Sequence, residues 1–348
     1  MEYGGASQNW AISGDDRGII YAANNKGLLS YDGQRWELFP LRNGAVVRSV
    51  LPHKDRIYTG SYQEFGYWKR NKKGEMLYTS LMPLLNEPLE SEEFWQILSF
   101  KNAIYFRSFG AIYKYEDDQI EVIKNVGTNK LAVYKDRLLI AVSKKGLSFL
   151  NPDGTLEPLK NQEILLGKRI LDLEVDGDEI LIGTKDRLYK YSEGRSIPYP
   201  NGDLNQKLAE HEFNHILKVG EDQLLLATVR SGVLHHNMKT GETAVYNREN
   251  GLQNNTVLGM TSKNGKIWLA LDDGIDEIDL DSSIQFFTDH SGELGAVYDL
   301  AFYKNALYAA SNTGVYRIND EGVSIMEGAQ GHSWNLRVLD GTLFSNHN

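Results

Sequence analysis

KIWLALDDGIDEI, residues 266–278, opens with a short apolar run, Ile267 to Ala270, that shows no polar alternation. Asp272-Asp273-Gly274 follows as a turn signal, because Gly accepts the positive φ that a tight reversal needs. Ile275 and Ile278 then restart an extended segment, so the stretch reads as a hairpin. Seven other stretches share its grammar: 19–31, 56–68, 103–115, 138–150, 179–191, 224–236 and 306–318. Gly stands at the turn in seven of the eight, as Gly27, Gly66, Gly110, Gly146, Gly232, Gly274 and Gly314, and Arg187 takes that place in the fifth. Successive turns are 39, 44, 36, 41, 45, 42 and 40 residues apart, a mean of 41. A fixed period of this size marks a repeat array. Each repeat carries a further apolar segment before the hairpin, such as 169–175, and another after it, such as 244–246 or 284–287. Four strands in such a unit suit a propeller blade. The predicted fold is all-β: a β-propeller of four-stranded antiparallel blades, about 41 residues per repeat.

The repeat sets the domain expectation. Residues 1–326 hold eight repeats, either all in one ring or with seven closing it, and 327–348 begin a ninth that stops short of its turn glycine. Unit two has a lengthened turn, Tyr62-Gln63-Glu64-Phe65, and residues 200–212 make the longest connection, with NQKLAEHEF able to form one helical turn or two. An open end would leave unpaired strand edges that seek partners, which makes dimerisation an expectation.

Bulk composition excludes several functions. With 37 Lys and Arg against 47 Asp and Glu, the net charge is −10, so no basic surface is expected for nucleic acid or anionic membranes. No apolar run approaches the length of a membrane helix, and Met1-Glu2-Tyr3 does not open a signal peptide. The chain has no cysteine, so disulfides and thiolate metal sites are ruled out.

His211-Glu212-Phe213-Asn214-His215 fits H-E-x-x-H, in which two His on one helical face hold zinc, and Glu242 stands at a plausible distance for a third ligand. The repeat register instead places 213–217 on or beside the inner strand of unit six. On a strand, residues four apart lie about 13 Å from each other, too far to share one ion. Only a helix through 207–215 would rescue the site, so no metal and no cofactor are expected. Residues 172–177 begin like a calcium loop, but Gly183 stands where the twelfth-position acid is needed, and a β-turn is the better reading. His235 and His236 are strand neighbours facing opposite ways and cannot ligate together. There is no G-x-S-x-G elbow, no phosphate loop and no Asp-box of the sialidase type. The six Trp read as blade-packing residues rather than ligand platforms.

All hairpin turns of one type gather on one face of a propeller. Those of the first three units bring aromatics beside charged and amide groups, the mix a polyhydroxylated ligand needs. Tyr62, Glu64, Arg107, Phe109 and Arg230 are the candidate ligand-binding residues, against the plainer reading of solvated turns.

The unit, aliphatic-aromatic-aliphatic-small-small, then a turn with Gly, then Leu or Val and a Tyr, resembles the two-component-regulator propeller repeats of bacterial environmental sensors. Residues 267–278 and 307–318 carry the pattern best, and 5–33 and 60–68 resemble the opening of one-component regulators of that family. The lengthened second turn and Arg187 depart from it. The resemblance implies a periplasmic sensor that recognises a small molecule or oligosaccharide without turning it over. It also implies downstream immunoglobulin-like, membrane and output domains in the full-length protein, and it supplies no catalytic residues. A propeller lyase or hydrolase and a protein-docking scaffold are the alternatives.

Overall fold

The computed structural model describes residues 3–89, 91–124, 126–185, 187–282, 289, 292–319 and 322–347. It divides into two compact units, Met1–Ile284 and Gln285–Asn348. In the first, the chain folds into seven consecutive antiparallel sheets, six of four strands and the seventh of three among the described residues. The fourth strand expected over 284–287 lies outside those residues.

The first strands of the seven sheets are Asn9–Gly14, Val47–His53, Gln96–Phe100, Thr128–Tyr134, Ile170–Asp176, Phe213–Val219 and Val257–Lys263. Each packs against the first strand of the next sheet, and the last packs against the first. The innermost strands therefore form a closed cycle around a channel, and the sheets radiate from it as propeller blades. Second strands such as Ile20–Asn24 are buried along their whole length, because a neighbouring blade covers each face. This explains the apolar runs without alternation. Each hydrophobic cluster of this unit lies at one blade–blade seam. Tyr134, Leu139, Ile180 and Tyr191, for example, join blades four and five.

The closing seam joins blade seven to blade one. Ile12, Ile20, Ala22 and Leu29 pack with Ala270 and Trp268. Gly274 N–H donates to the Ser7 carbonyl at 2.8 Å, and Asn9 Nδ2 donates to the Gly274 carbonyl at 2.8 Å. Asn9 is fully buried, and its Oδ1 accepts from Asn24 Nδ2 at 2.8 Å.

Two of the turn glycines show why the repeat keeps them. Gly27 and Gly232 have positive φ, and a Cβ there would stand 2.3 Å from the Phe39 carbonyl oxygen and 2.0 Å from that of Tyr246. The end of the outermost strand passes directly over the hairpin, so the space is already taken.

Each innermost strand except the third carries a bulge near its start, with one extra residue: Trp10, Arg48, Asn129, Leu171, Asn214 and Leu258. In blades two, four, five and six the residue after the bulge reaches a neighbouring blade, and in blade three, which has no bulge, Gln96 holds that place. Ser49 Oγ donates to the Phe94 carbonyl at 2.8 Å, and the Gln96 amide exchanges two hydrogen bonds with the Leu131 backbone at 2.8 Å each. Lys130 Nζ meets Asp172 Oδ1 at 2.5 Å, and Asp172 Oδ2 accepts from Ile216 N–H at 2.8 Å and pairs with His215 Nδ1. At the closing seam the same position is Gly259, where a Cβ would stand 3.2 Å from Ala11 Cα.

Residues 202–211 form a ten-residue helix, α1 (Gly202–His211), longer than the one or two turns expected. Asn201 caps it by accepting from Leu204 N–H at 2.9 Å, and Leu204 and Leu208 are buried against blade six.

The second unit holds one four-stranded sheet, Val297–Tyr303, Ala306–Ser311, Gly314–Asn319 and Gly322–Gln330, and a hairpin, Ser333–Leu339 and Thr342–His347. Tyr308, Ala310, Val315 and Leu336 pack the two together, and Asp299 Oδ2 accepts from Leu336 N–H at 2.8 Å. The bulge and its bridging acid thus recur here.

The channel wall of blades four to six is charged and buried. Burial would push the Asp172 carboxyl up, but His215 and Lys130 outweigh it and hold it well below the ordinary carboxylate range. Burial pushes Glu174, two residues on, up to about 7, and the Asp172 charge adds to the effect. An acid with a raised folded pKa destabilises the fold as pH climbs from the unfolded value, 4.5, through the folded one, about 7. Glu174→Gln should therefore stabilise the protein at about pH 8 by roughly 1–3 kcal/mol and leave it unchanged near pH 4. Thermal melts at the two pH values check this; equal shifts would show that ionisation plays no part.

Candidate functional site

The hairpins between second and third strands lie at the same end of each blade as the start of the innermost strand, because Asn9 pairs with Asn24, Val47 with Ser61 and Phe213 with Thr228. The bulges open at this end too. At blade one the bulge turns out Trp10, and at blade two Arg48; in blade three Trp95 precedes Gln96. The three side chains converge. The Arg48 guanidinium carbon is 4.1 Å from the Trp10 ring centroid and 4.9 Å from that of Trp95, and the two indoles meet edge to face at 5.6 Å. Blades one and three are not neighbours, so Trp10 and Trp95 meet across the channel mouth. Arg48 is held in place by Glu93 at 3.1 Å, and Trp10 Nε1 donates to Asn25 Oδ1 at 2.7 Å.

Tyr62 and Phe109 extend this cluster outward. Tyr62 bridges to Glu93 on the backbone and is 45% exposed. Phe109 is 52% exposed and sits 5.7 Å from Trp95 and 5.6 Å from the Arg107 guanidinium carbon. Arg107 itself is buried. Its Nη1 donates to the Thr128 carbonyl at 3.1 Å, Nε has no hydrogen-bond partner, and burial alone pulls its guanidinium down to about 10.

Three of the five residues expected at the site, Tyr62, Arg107 and Phe109, thus come together in blades two and three. Glu64 does not join them: its Oε1 accepts from Tyr78 at 3.0 Å and Ser80 at 2.8 Å, which ties the turn to its own blade's outer strand. Arg230 stands in blade six, exposed, paired with Glu212 at 2.8 Å. Of the turn ring, Asp186 lies outside the described residues. A cleft of about 760 Å³ lies in blade three, lined by Leu85, Leu89, Tyr113, Ile120 and Val122, and it does not contain the aromatic cluster.

Sequence reasoning missed Trp10, Arg48 and Trp95. Assigning all six Trp to blade packing holds for Trp68, which is buried beside Phe39 and Tyr78. Trp10 also packs on the seam of blades one and two, and at the channel mouth it meets Trp95 and Arg48 as well. The signal was available in the repeat register: Asn9-Trp10-Ala11, Val47-Arg48-Ser49 and Phe94-Trp95-Gln96 align, with the large residue always second.

HEFNH is split. His211 ends α1, with Nδ1 2.8 Å from Ser231 Oγ; Glu212 takes φ 58; His215 is on the innermost strand, paired with Asp172. Glu242 accepts from Thr240 in a separate turn. Among the described residues no group of three or more His, Cys, Asp and Glu is arranged to hold a metal ion.

No protein-family model matches this sequence, and no curated protein matches it. Solved structures do. The extracellular domain of BT4673 from B. thetaiotaomicron, assigned as a one-component or a hybrid two-component system, superposes with a TM-score of 0.62 at 16% identity, covering 98% of this chain and 50% of that one. This chain has the fold of a regulator's extracellular domain. The extracellular domain of BT3049, assigned as a hybrid two-component system from the same organism, gives 0.50 at 14% identity, covering 97% and 55%. The chain therefore spans about half the length of these regulator domains. Virginiamycin B lyase from Staphylococcus aureus gives 0.59 at 13% identity, covering 78% of this chain and 94% of that one. No helix among the described residues is long and apolar enough to cross a membrane.

With His215 engaged by Asp172 and His211 by Ser231, purified protein should carry no zinc by elemental analysis, and His211→Ala should not change the metal content. Stoichiometric zinc lost on that substitution would require the two histidines to rearrange around an ion.

Proposed function

We propose that this chain is the extracytoplasmic ligand-sensing part of a bacterial one-component or two-component regulator of the propeller family, and that it recognises an oligosaccharide without turning it over. The observation that carries the reading is the Trp10–Arg48–Trp95 cluster at the channel mouth, extended by Phe109 and Tyr62. Flat apolar faces beside hydrogen-bonding groups suit a sugar ring, which has one apolar face and a polar rim. Arg107 lies beneath Phe109; Glu64 fixes the turn that carries Tyr62; Arg230 marks the rim of blade six. In the full-length protein, immunoglobulin-like, membrane and output domains would follow, and the sensing region would lie in the periplasm. Titration with a panel of soluble glycans tests this. Trp95→Ala and Phe109→Ala should each weaken binding by about 1–3 kcal/mol. Unchanged affinity in both would move the site elsewhere, and release of cleaved product would make the chain an enzyme.

We further propose that the seven sheets of Met1–Ile284 are one complete ring and that the sheets of the second unit belong to another. In the first unit the residue three places after the first of each innermost strand but the third is covered by the preceding blade, as Ile12 at 6%, Val50 at 8% and Ile216 at 1% exposure show. The equivalent Leu300 is 55% exposed, beside exposed Tyr298 and Phe302. Such a face fits a first blade awaiting the last blade of its own ring. Residues 1–290 alone, which keep the expected fourth strand of blade seven, should then unfold cooperatively and stay monomeric, by calorimetry and sedimentation. A non-cooperative or self-associating fragment would show that the ring needs the later sheets.

A further inference from the structure

Arg107 is the outlier of the channel mouth. It is 5% exposed, and among the described residues no carboxylate pairs with it, whereas Arg48 beside it is matched by Glu93. A buried charge without a partner is costly, and folded proteins ordinarily pair it. Nη1 is engaged by the Thr128 carbonyl. That leaves the Nε edge of the guanidinium, the side that presents two parallel N–H groups to a carboxylate. Two more buried donors on adjoining residues lack partners: Trp95 Nε1, on the residue whose N–H bonds the Arg107 carbonyl, and Asn129 Nδ2, on the residue after Thr128, whose carbonyl Arg107 engages. Three neighbouring residues thus offer donors, and the charge left over is positive.

We propose that the mouth of blades three and four is an anion subsite, and that the ligand is an acidic oligosaccharide whose ring carboxylate docks on Arg107 while its sugar ring packs on Phe109 and Trp95. This rests on the saccharide-sensing reading above and narrows it to uronic acids. The Arg107 guanidinium supplies the fork, and Trp95 Nε1 and Asn129 Nδ2 bond the remaining carboxylate lone pairs or the adjacent ring oxygens. A neutral sugar would leave the charge as it stands, so discrimination is expected to be large.

The test uses the full chain and isothermal titration with oligogalacturonate, its methyl ester, a sulfated galactan oligomer and neutral galacto-oligosaccharide. Oligogalacturonate should bind at least about 30-fold more tightly than the ester or the neutral oligomer. Arg107→Met should abolish that difference, and Arg107→Lys should restore part of it. Because Arg107→Met removes an unpaired buried charge, its melting temperature should equal or exceed that of the wild type, which a merely structural arginine would not allow. Preference for the sulfated oligomer over the uronate overturns the carboxylate assignment. Acid and neutral oligomers bound equally, with Trp95→Ala weakening both, overturns the anion subsite and leaves the sensor reading intact. If none of the four binds, the uronate assignment fails, and the wider glycan panel decides the sensor reading.

Discussion

The structure depends on how one innermost strand grips the next. Adjacent blades share no continuous sheet, since each of the nine sheets is separate. Apolar side chains fill the seams, but contacts between flat sheets are weakly specified in register. The bulge resolves this. By inserting one residue near the start of the innermost strand it turns that residue out and re-aims the next across the seam. Ser49 and Asp172 then bond backbone groups of the following blade, and Gln96 does the same from the one innermost strand without a bulge. These bonds are buried, and a blade that slipped by one residue would leave both partners unsatisfied, at roughly 1–3 kcal/mol each. At the closing seam there is no side chain to make the bond, because the post-bulge residue is Gly259. There the backbones of blades seven and one approach directly, and Asn9 fastens the blade-seven turn from the other side.

The same device divides the channel into two chemical halves. In blades one to three the turned-out residues are Trp10, Arg48 and Trp95, which meet one another over the mouth. In blades four to seven they are Asn129, Leu171, Asn214 and Leu258, and the ionic contacts lie one residue later, on Lys130, Asp172 and His215. One half is thus given to internal pairing, with Asp172 sharing its two oxygens between a cation, an imidazole and backbone N–H groups. The other half holds aromatic faces and a guanidinium in excess of its carboxylates.

Much of the fold was legible because its causes are local and repeated. A second strand buried on both faces must be apolar without alternation, as Ile267 to Ala270 is. A hairpin overlaid by a carbonyl must carry Gly, as Gly27 and Gly232 do. Both constraints recur once per blade and so write a period into the sequence. The site was less legible because its residues act across blades. Trp10 and Trp95 are 85 residues apart and belong to blades that are not neighbours in the ring, so no local pattern joins them. Reading the turns alone named Tyr62, Arg107 and Phe109 as candidates but could not show that Arg107 is buried or that Glu64 is committed to Tyr78 and Ser80. HEFNH shows the opposite case: its spacing invites a metal, but the repeat register argues against one, and the helix indeed ends at His211 and the strand begins at Phe213, so the two imidazoles leave on different elements.

Under the proposed anion reading, burial of Arg107 has a consequence beyond affinity. An exposed arginine at the rim would attract any anion weakly, with the attraction screened by salt. A guanidinium at 5% exposure is screened far less, but a ligand must shed water and reach past Phe109 to meet it. Half-exposed, the Phe109 ring has room to tilt, whereas Arg107 is fixed by the Thr128 carbonyl. Occupancy would then couple charge neutralisation in blade three to the position of a ring that touches Trp95, and through Trp95 and Arg48 to blades two and one. A local binding event would in this way be felt by three blades at once, through contacts of 4–6 Å that already exist in the folded ring.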